Sequence, residues 1–390
     1  MLRLAIIRQR YTPYGGAERF VEAALEALLE RGVAISLYTR EWPQTRLQLI
    51  EPVLCDPFHI GRLWRDWSFA RAVCRAVTKK APELVQSHER LLCCDVYRAG
   101  DGVHRAWLDE RLRGAFALRR WVTELSPYHR YVLATERRLF ASPLLKAVIC
   151  NSKMVREEIR DRFGVSEDRL PVVYNAVDSE AFSPALRTHR DTMRQKLGVA
   201  PHATLFLLVG SGYVRKGVAA AMTALSRLPA DTHLLVVGRD KARGHYKRLA
   251  RRLGIASRVA LVGAQDDSKP FYGAADVFVL PSLYDPCPNA ALEAMACGLP
   301  VVTSTKCGAA ELVIEHDAGF VCAARDLDAL TAHMRTLTDA AARTGRGERA
   351  REAVLPLTPE AMTLQLVLLY RDLLAAAHAA RTEAPKGAAL

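Results

Sequence analysis

Residues 203–238 read ATLFLLVGSGYVRKGVAAAMTALSRLPADTHLLVVG. An apolar run leads into a glycine-rich turn, then an alanine-rich segment at helical spacing, then a second apolar run. Short apolar runs without alternation are the mark of strands buried on both faces. Strand, turn, helix and strand in that order form the repeating unit of a parallel α/β sheet. The unit continues downstream: HYKRLARRLGI is a basic helix, RVALVG a strand, KPFYGAAD a short helix and VFVLPS a strand. A helix over 290–297, the strand PVVTS and a helix near 309–316 follow. The same unit also opens the chain, with a strand over 2–8, the loop RQRYTPYGGAER, a helix through AERFVEAALEALLERG and the strand VAISLYTR. Residues 84–88, 96–99 and 147–150 are further short strands. The fold class is therefore α/β, with two parallel sheets. Ligands of such sheets bind beyond the carboxyl ends of the strands, here in the cleft between the two.

The chain has 390 residues, half of them apolar and a quarter charged. That composition is globular rather than disordered, and its length calls for two cores. No apolar run approaches the roughly 20 residues that cross a bilayer. The apolar start before Arg8 and Arg10 is too short for a secretion signal. Nine cysteines without a CxxC pair, and eleven scattered histidines, predict free buried thiols and neither a disulfide framework nor a zinc site. The formal net charge of +13 predicts an anionic partner, whether nucleic acid, a membrane surface or a phosphorylated small molecule. No nucleic-acid-binding module accompanies it.

Several stretches could carry chemistry. Gly15 and Gly16 follow the first strand and let the backbone approach a ligand at a helix start. Gly210 to Gly217 follow a strong inner strand and place Arg215 and Lys216 where a diphosphate could be neutralised. Asp285 and Glu293 flank a Pro–Cys–Pro turn that prevents a regular helix before about Asn289. Glu293, one turn into that helix, can accept hydrogen bonds from ribose hydroxyls, and Asp285 can reach a sugar farther along the same ligand. Taken singly, each carboxylate also reads as a helix-start charge or a turn residue. Asp101 lies between two glycines at a bend, placed to bind a hydroxyl or accept a proton. His88 and His104 are secondary candidates. Residues 98–138 hold nine arginines against five acidic residues, with Trp107, Trp121, Tyr128 and Tyr131 among them. That mixture suits an anionic interface, although a solvated helical hairpin would look similar.

Together, YTPYGGAER, ICNSKMVREEI, VVYNAVDSEAF, LLVGSGYVRKGV, ADVFVLPS and DPCPNAALEAMACGLPVVTS resemble the retaining GT-B glycosyltransferases of family 4. Within them, the chain is most similar to the subgroup that glucosylates the inner-core heptose of lipopolysaccharide in Gram-negative bacteria. The resemblance implies a hexosyltransferase with two Rossmann-like domains facing across a cleft. Residues 1–182 would bind the acceptor and 183–360 the nucleotide sugar. Residues 361–380 would be a helix packed back on the first domain, and 381–390 a tail. Gly15 and Gly16 would lie under the donor diphosphate, Arg215 and Lys216 would neutralise it, and Glu293 would hold the ribose. Asp285, standing where the family's E-x7-E pattern has glutamate, would touch the donor sugar. Asp101 would serve the acceptor. The donor implied is a UDP-sugar, UDP-glucose by the subgroup, with no prosthetic group and no metal. The acceptor implied is a lipid-linked, heptose-containing core. Residues 98–138 would rest on the anionic inner face of the cytoplasmic membrane. Nucleic acid is not an implied partner. The alternatives are a family 4 enzyme of capsule, exopolysaccharide or glycolipid synthesis, a nucleotide-sugar epimerase, and a noncatalytic anionic-surface binder.

Overall fold

The computed structural model describes residues 3–10, 32–41 and 50–383. Six strands, β1 (Arg3–Ile7), β2 (Ala34–Thr39), β3 (Glu51–Leu54), β4 (Leu84–Ser87), β5 (Val96–Arg98) and β6 (Ala147–Ile149), form one sheet in the order β3-β2-β1-β4-β5-β6. Six more, β7 (Thr204–Val209), β8 (Thr232–Val237), β9 (Val259–Gly263), β10 (Val277–Leu280), β11 (Val301–Ser304) and β12 (Gly319–Cys322), form a second in the order β12-β11-β10-β7-β8-β9. Every neighbouring pair is parallel. Each sheet starts in its middle and reverses its winding there, at β1/β4 and at β7/β10. Such switch points splay adjacent loops apart and open a crevice at the strand ends. Two Rossmann-like domains thus present their crevices to a common cleft.

The strands formed as the apolar runs predict. In the first sheet, Ala5, Ile7, Val85, Tyr97 and Val148 face one core, and their neighbours Leu4, Ile6, Leu84, Val96 and Ile149 face the other. That is the two-residue alternation of a sheet covered on both sides. β3 was not foreseen: its residues EPVL lie at the sheet edge and are largely solvent-facing, so they carry no apolar signal. The helix Gly61–Lys80 was also not foreseen. The expected helix over 17–31 lies outside the described residues.

The polar connector near 175–200 packs as part of the second core. Val177, Phe182 and Val199 belong to that core. Arg194, fully buried, donates to the Ala200, Pro201, Ala203 and Ala274 carbonyls and pairs with Asp276 at 2.5 Å. A charge can be buried at such a place because each donor finds an oxygen.

The final helix, Pro359–Glu383, returns to the first sheet, where Met362, Leu366 and Tyr370 enter its core. The Tyr370 hydroxyl donates to Gln86 Oε1 at 2.6 Å. By length and composition Ala340–Ala376 is apolar enough to cross a membrane, although no uninterrupted apolar run suggested it. In the fold it breaks at residues 355–358 and supplies side chains to both cores.

The two halves are joined by specific bonds. Glu311 accepts the backbone N–H groups of Lys153 (2.9 Å) and Met154 (3.2 Å) and the Tyr174 hydroxyl (2.5 Å), so a carboxylate of the second half caps the helix Lys153–Phe163 of the first. Arg325 Nη2 donates to the Glu110 carbonyl at 3.0 Å. One expectation fails: Cys74 and Cys93 form a disulfide, while the other seven cysteines are free and buried. The two lie 19 residues apart in no recognisable motif. Only the packing of the helix Gly61–Lys80 against the segment after β4 makes them neighbours.

Candidate active site

The cleft has a volume of about 850 Å³ and draws on both halves. From the first come Arg8, His88, Arg98, Asp101, Asn151 and Asn175; from the second, Arg215, Lys216, Asn289 and Glu293. Gly15 and Gly16 lie outside the described residues.

The glycine-rich turn after β7 is built for close approach. Tyr213–Lys216 form one short helical turn, which Gly217 ends at φ +72°. A Cβ at Gly217 would fall 2.1 Å from the Pro281 carbonyl oxygen, so no larger residue fits against the end of β10. This break turns both cations toward the cleft. Lys216 is buried and Arg215 half-exposed.

Asp285 differs from its expected place. Its carboxylate is buried and absent from the cleft lining. It pairs with Lys216 Nζ at 2.5 Å and with Arg215 Nη1 at 3.3 Å, and takes a weaker contact from Ser282 Oγ at 3.4 Å. Burial pushes this carboxyl's pKa up, but the two cations and their hydrogen bonds outweigh burial and hold it below the usual range. In this structure Asp285 holds the cations, which themselves face the cleft.

Glu293 sits in the second turn of the helix Asn289–Ala296, which starts after Pro288 as the Pro–Cys–Pro turn predicts. Its Oε2 accepts the Tyr272 hydroxyl at 2.7 Å, and the carboxylate lines the cleft. The open N-terminus of this helix also lines the cleft, through Cys287, Pro288, Asn289 and Ala290, and offers backbone N–H groups to an anion.

On the facing wall, Asp101 is exposed at its bend and lines the cleft. His88 also lines it. Burial, with Arg8 and Arg98 beside it, lowers the pKa of this imidazole well below its usual value, so it is neutral at physiological pH. His104 is not part of the site. Its Nε2 lies 3.1 Å from His129 Nδ1, its ring is tilted against Trp107, and its pKa is lowered to about 3, chiefly by burial.

Three residues that the sequence reading did not single out join the two walls. Arg98 Nη2 donates to Asn175 Oδ1 at 2.8 Å. Asn175 Nδ2 in turn reaches the Cys287 carbonyl (3.0 Å) and Asn289 Oδ1 (2.6 Å) across the cleft floor. Asn175 and Asn289 stand inside the quoted motifs VVYNAVD and DPCPNAA; their pairing across the fold has no local signal. Among the described residues, no group of three or more His, Cys, Asp or Glu side chains is placed to hold a metal ion.

Two facing Rossmann-like domains, a basic turn after an inner strand and a carboxylate-bearing helix start point to a glycosyltransferase of the GT-B class. Residues 14–181 match the family described as Glycosyltransferase Family 4, and residues 203–340 match Glycosyl transferases group 1. The chain belongs to these glycosyltransferases. It is 26% identical over 329 residues to the lipopolysaccharide glucosyltransferase WaaG of Escherichia coli K12, covering 82% of this chain and 85% of that one. It is 27% identical over 348 residues to the lipopolysaccharide core biosynthesis glycosyltransferase LpsE of Rhizobium meliloti 1021, covering 87% and 91%. The crystal structure of WaaG superposes with a TM-score of 0.79 at 24% identity over 92% of this chain and 98% of that one. Anabaena Alr3699/HepE in complex with UDP and glucose gives 0.72 at 21% over 95% and 100%. At these identities the superpositions speak to fold. The family matches select a transferase over the epimerase and noncatalytic alternatives.

Proposed function

We propose that this chain transfers glucose from UDP-glucose to the heptose of a lipid-linked lipopolysaccharide core, with retention of configuration, at the inner face of the cytoplasmic membrane. The observation that carries the reading is that Lys216 and Arg215, held by Asp285, line the same wall as Glu293 in a cleft large enough for a nucleotide sugar, opposite Asp101. The relatedness to WaaG and LpsE supports the core acceptor.

Glu293, oriented by Tyr272, accepts the ribose hydroxyls. Lys216 and Arg215 meet the diphosphate, helped by the N–H groups at the start of the helix Asn289–Ala296. As the bond between the sugar C1 and the diphosphate oxygen stretches, charge grows on that oxygen, and fixed cations stabilise it more than the ground state. The acceptor hydroxyl, held by Asp101, attacks C1 from the same face. Its proton passes to the departing diphosphate, so the products are the glycoside and UDP. In this reading the two cations do the work a metal would otherwise do, and Gly15 and Gly16 complete the diphosphate pocket.

The membrane contact rests on exposed apolar groups. The helix Ala117–Glu124 has no buried residue among those described. Leu118, Trp121, Val122 and Leu125 recur at helical spacing and are all exposed, as is Phe116, which is 88% exposed. Arg113 and Arg120 flank them and are exposed too. An amphipathic helix with basic flanks suits an anionic lipid surface. Trp107, by contrast, packs against the core with Arg111 over its ring. A second apolar group lies outside 98–138: Phe58, Ile60, Trp64 and Trp67, at the start of the helix Gly61–Lys80. Arg62 stacks 4.8 Å from the Tyr128 ring centroid and brings this helix beside Pro127–Phe140.

Nucleotide release from UDP-, GDP- and ADP-sugars, with and without heptosylated core lipid, tests the reading. Acceptor-dependent UDP release, with a product heavier by one hexose that analyses as glucose, is expected. Release only with another acceptor moves the pathway to capsule, exopolysaccharide or glycolipid synthesis. The absence of both nucleotide release and nucleotide-sugar binding overturns it.

A further inference from the structure

Tyr284 precedes Asp285, yet its ring is buried in the core of the other half, in one cluster with Val103, Ala106 and Ile159. Its hydroxyl accepts the Val103 N–H at 2.8 Å and donates to Glu158 Oε2 at 2.8 Å. The second oxygen of Glu158 takes Lys306 Nζ at 2.8 Å. Gly102 makes room for this contact: its φ is +65°, and a Cβ there would lie 2.2 Å from the Tyr284 hydroxyl oxygen. Asp101 is the residue before it.

At its other end, Tyr284 belongs to the loop that holds the cations. The Leu283 N–H donates to the Arg215 carbonyl at 2.8 Å, the Asp285 N–H to the Lys306 carbonyl at 2.9 Å, and the Gly308 N–H to the Asp285 carbonyl at 2.9 Å. One side chain therefore spans from the bend of the acceptor-side carboxylate to the backbone that fixes both cations. The bond is fully buried, where a lost partner leaves a polar group unsatisfied.

Resting on the proposed reaction, we infer that Tyr284 is a positioning residue that registers the Asp101 bend against the Asp285–Lys216–Arg215 cluster. It couples departure of the diphosphate to the presence of a correctly placed acceptor. Without the hydroxyl, the nucleotide sugar still binds to its own half. The attacking hydroxyl is then poorly aligned, and small misalignments of reacting groups are costly in rate. Water competes better for C1, and donor is hydrolysed to UDP and free sugar.

The test uses the full-length protein, UDP-glucose and heptosylated core lipid, and compares wild type with Tyr284→Phe. Three quantities are read: UDP affinity by calorimetry, kcat for transfer, and the share of UDP released without sugar reaching acceptor. The expected result is UDP affinity within about twofold, kcat down about tenfold and the hydrolysed share up about tenfold. Glu158→Gln, which keeps an acceptor for the hydroxyl but breaks the pair with Lys306, gives the same split to a smaller degree and serves if Tyr284→Phe does not fold. An unchanged share of hydrolysis in both variants overturns the inference. So does a fall in UDP affinity that matches the fall in kcat, as a purely structural tyrosine would give. Wild-type turnover with a different nucleotide sugar overturns the donor assignment alone, and the same share is then read with that sugar.

Discussion

Replacing Lys216 by alanine separates two roles that one side chain fills. Lys216 and Asp285 are both buried and lie 2.5 Å apart, whereas Arg215 is half-exposed and 3.3 Å away. Removing one partner of a buried pair costs about 3–5 kcal/mol, because the other charge is left behind. The remaining arginine places this case near the low end, about 3 kcal/mol. For a domain of this size each kcal/mol moves Tm by about 2–4 °C, so a drop of about 6–12 °C is expected at pH 7. The pH dependence has a definite sign. Asp285 titrates below its ordinary value in the fold, so its contribution is present above about pH 4 and lost as pH falls through the folded value. The variant lacks that contribution, and the gap in Tm therefore narrows on acidification. Catalysis loses a fixed cation at the departing diphosphate, expected to lower kcat about 100- to 1000-fold. The double variant Lys216→Met with Asp285→Asn removes both buried charges. It regains most of the stability and none of the rate. Calorimetry from pH 7 to 3.5 and UDP release under donor saturation read both quantities. A Lys216→Ala protein with unchanged kcat/KM for the donor, or a Tm deficit that does not vary with pH, would refute this account.

Glu293→Gln keeps one acceptor oxygen and its contact with Tyr272 but loses the charge, and should raise donor KM about tenfold with a smaller change in kcat; initial rates against UDP-glucose check it. Trp121→Ala with Leu118→Ser should lower binding to anionic-lipid vesicles by at least about tenfold while leaving UDP affinity unchanged, read by flotation. Trp64→Ala with Trp67→Ala should lower it further if both exposed groups meet the same surface. Saturating EDTA should leave UDP release unchanged if Arg215 and Lys216 neutralise the diphosphate as proposed; a loss restored by a divalent cation would assign that task to a metal.

Much of the architecture could be read along the chain because buried parallel strands are written as apolar runs. β7, β8 and β10 are such runs, and each was expected at nearly its observed bounds. β3 has two solvent-facing residues at its start, one of them glutamate, and could not be read in the same way. Of the site, Glu293 was legible because prolines dictate where its helix starts. Arg215 and Lys216 were legible because glycines bracket them after an inner strand. The contact between Asp285 and Lys216 spans 69 residues and follows only from the packing of β10 beside β7. Nothing local shows that Asp285 turns away from the cleft. Arg194 looked like linker chemistry in a polar stretch, and its burial depends on carbonyls from several segments. The aromatic residues of 98–138 were weighted alike, yet Trp121 is exposed and Trp107 packs on the core, a difference set by which face of each helix meets the sheet.

The return of the last helix to the first sheet bears on how the chain matures at the ribosome. The second core draws on residues from Val177 to Leu357 and is complete once they have emerged. The first includes Met362, Leu366 and Tyr370, whose codons are translated after those of the second core. Vectorial synthesis would ordinarily let the leading domain settle first. Here the trailing domain can consolidate while the leading one still lacks part of its apolar cover. A nascent chain stalled near residue 358 would therefore hold a finished second half beside an unfinished first half.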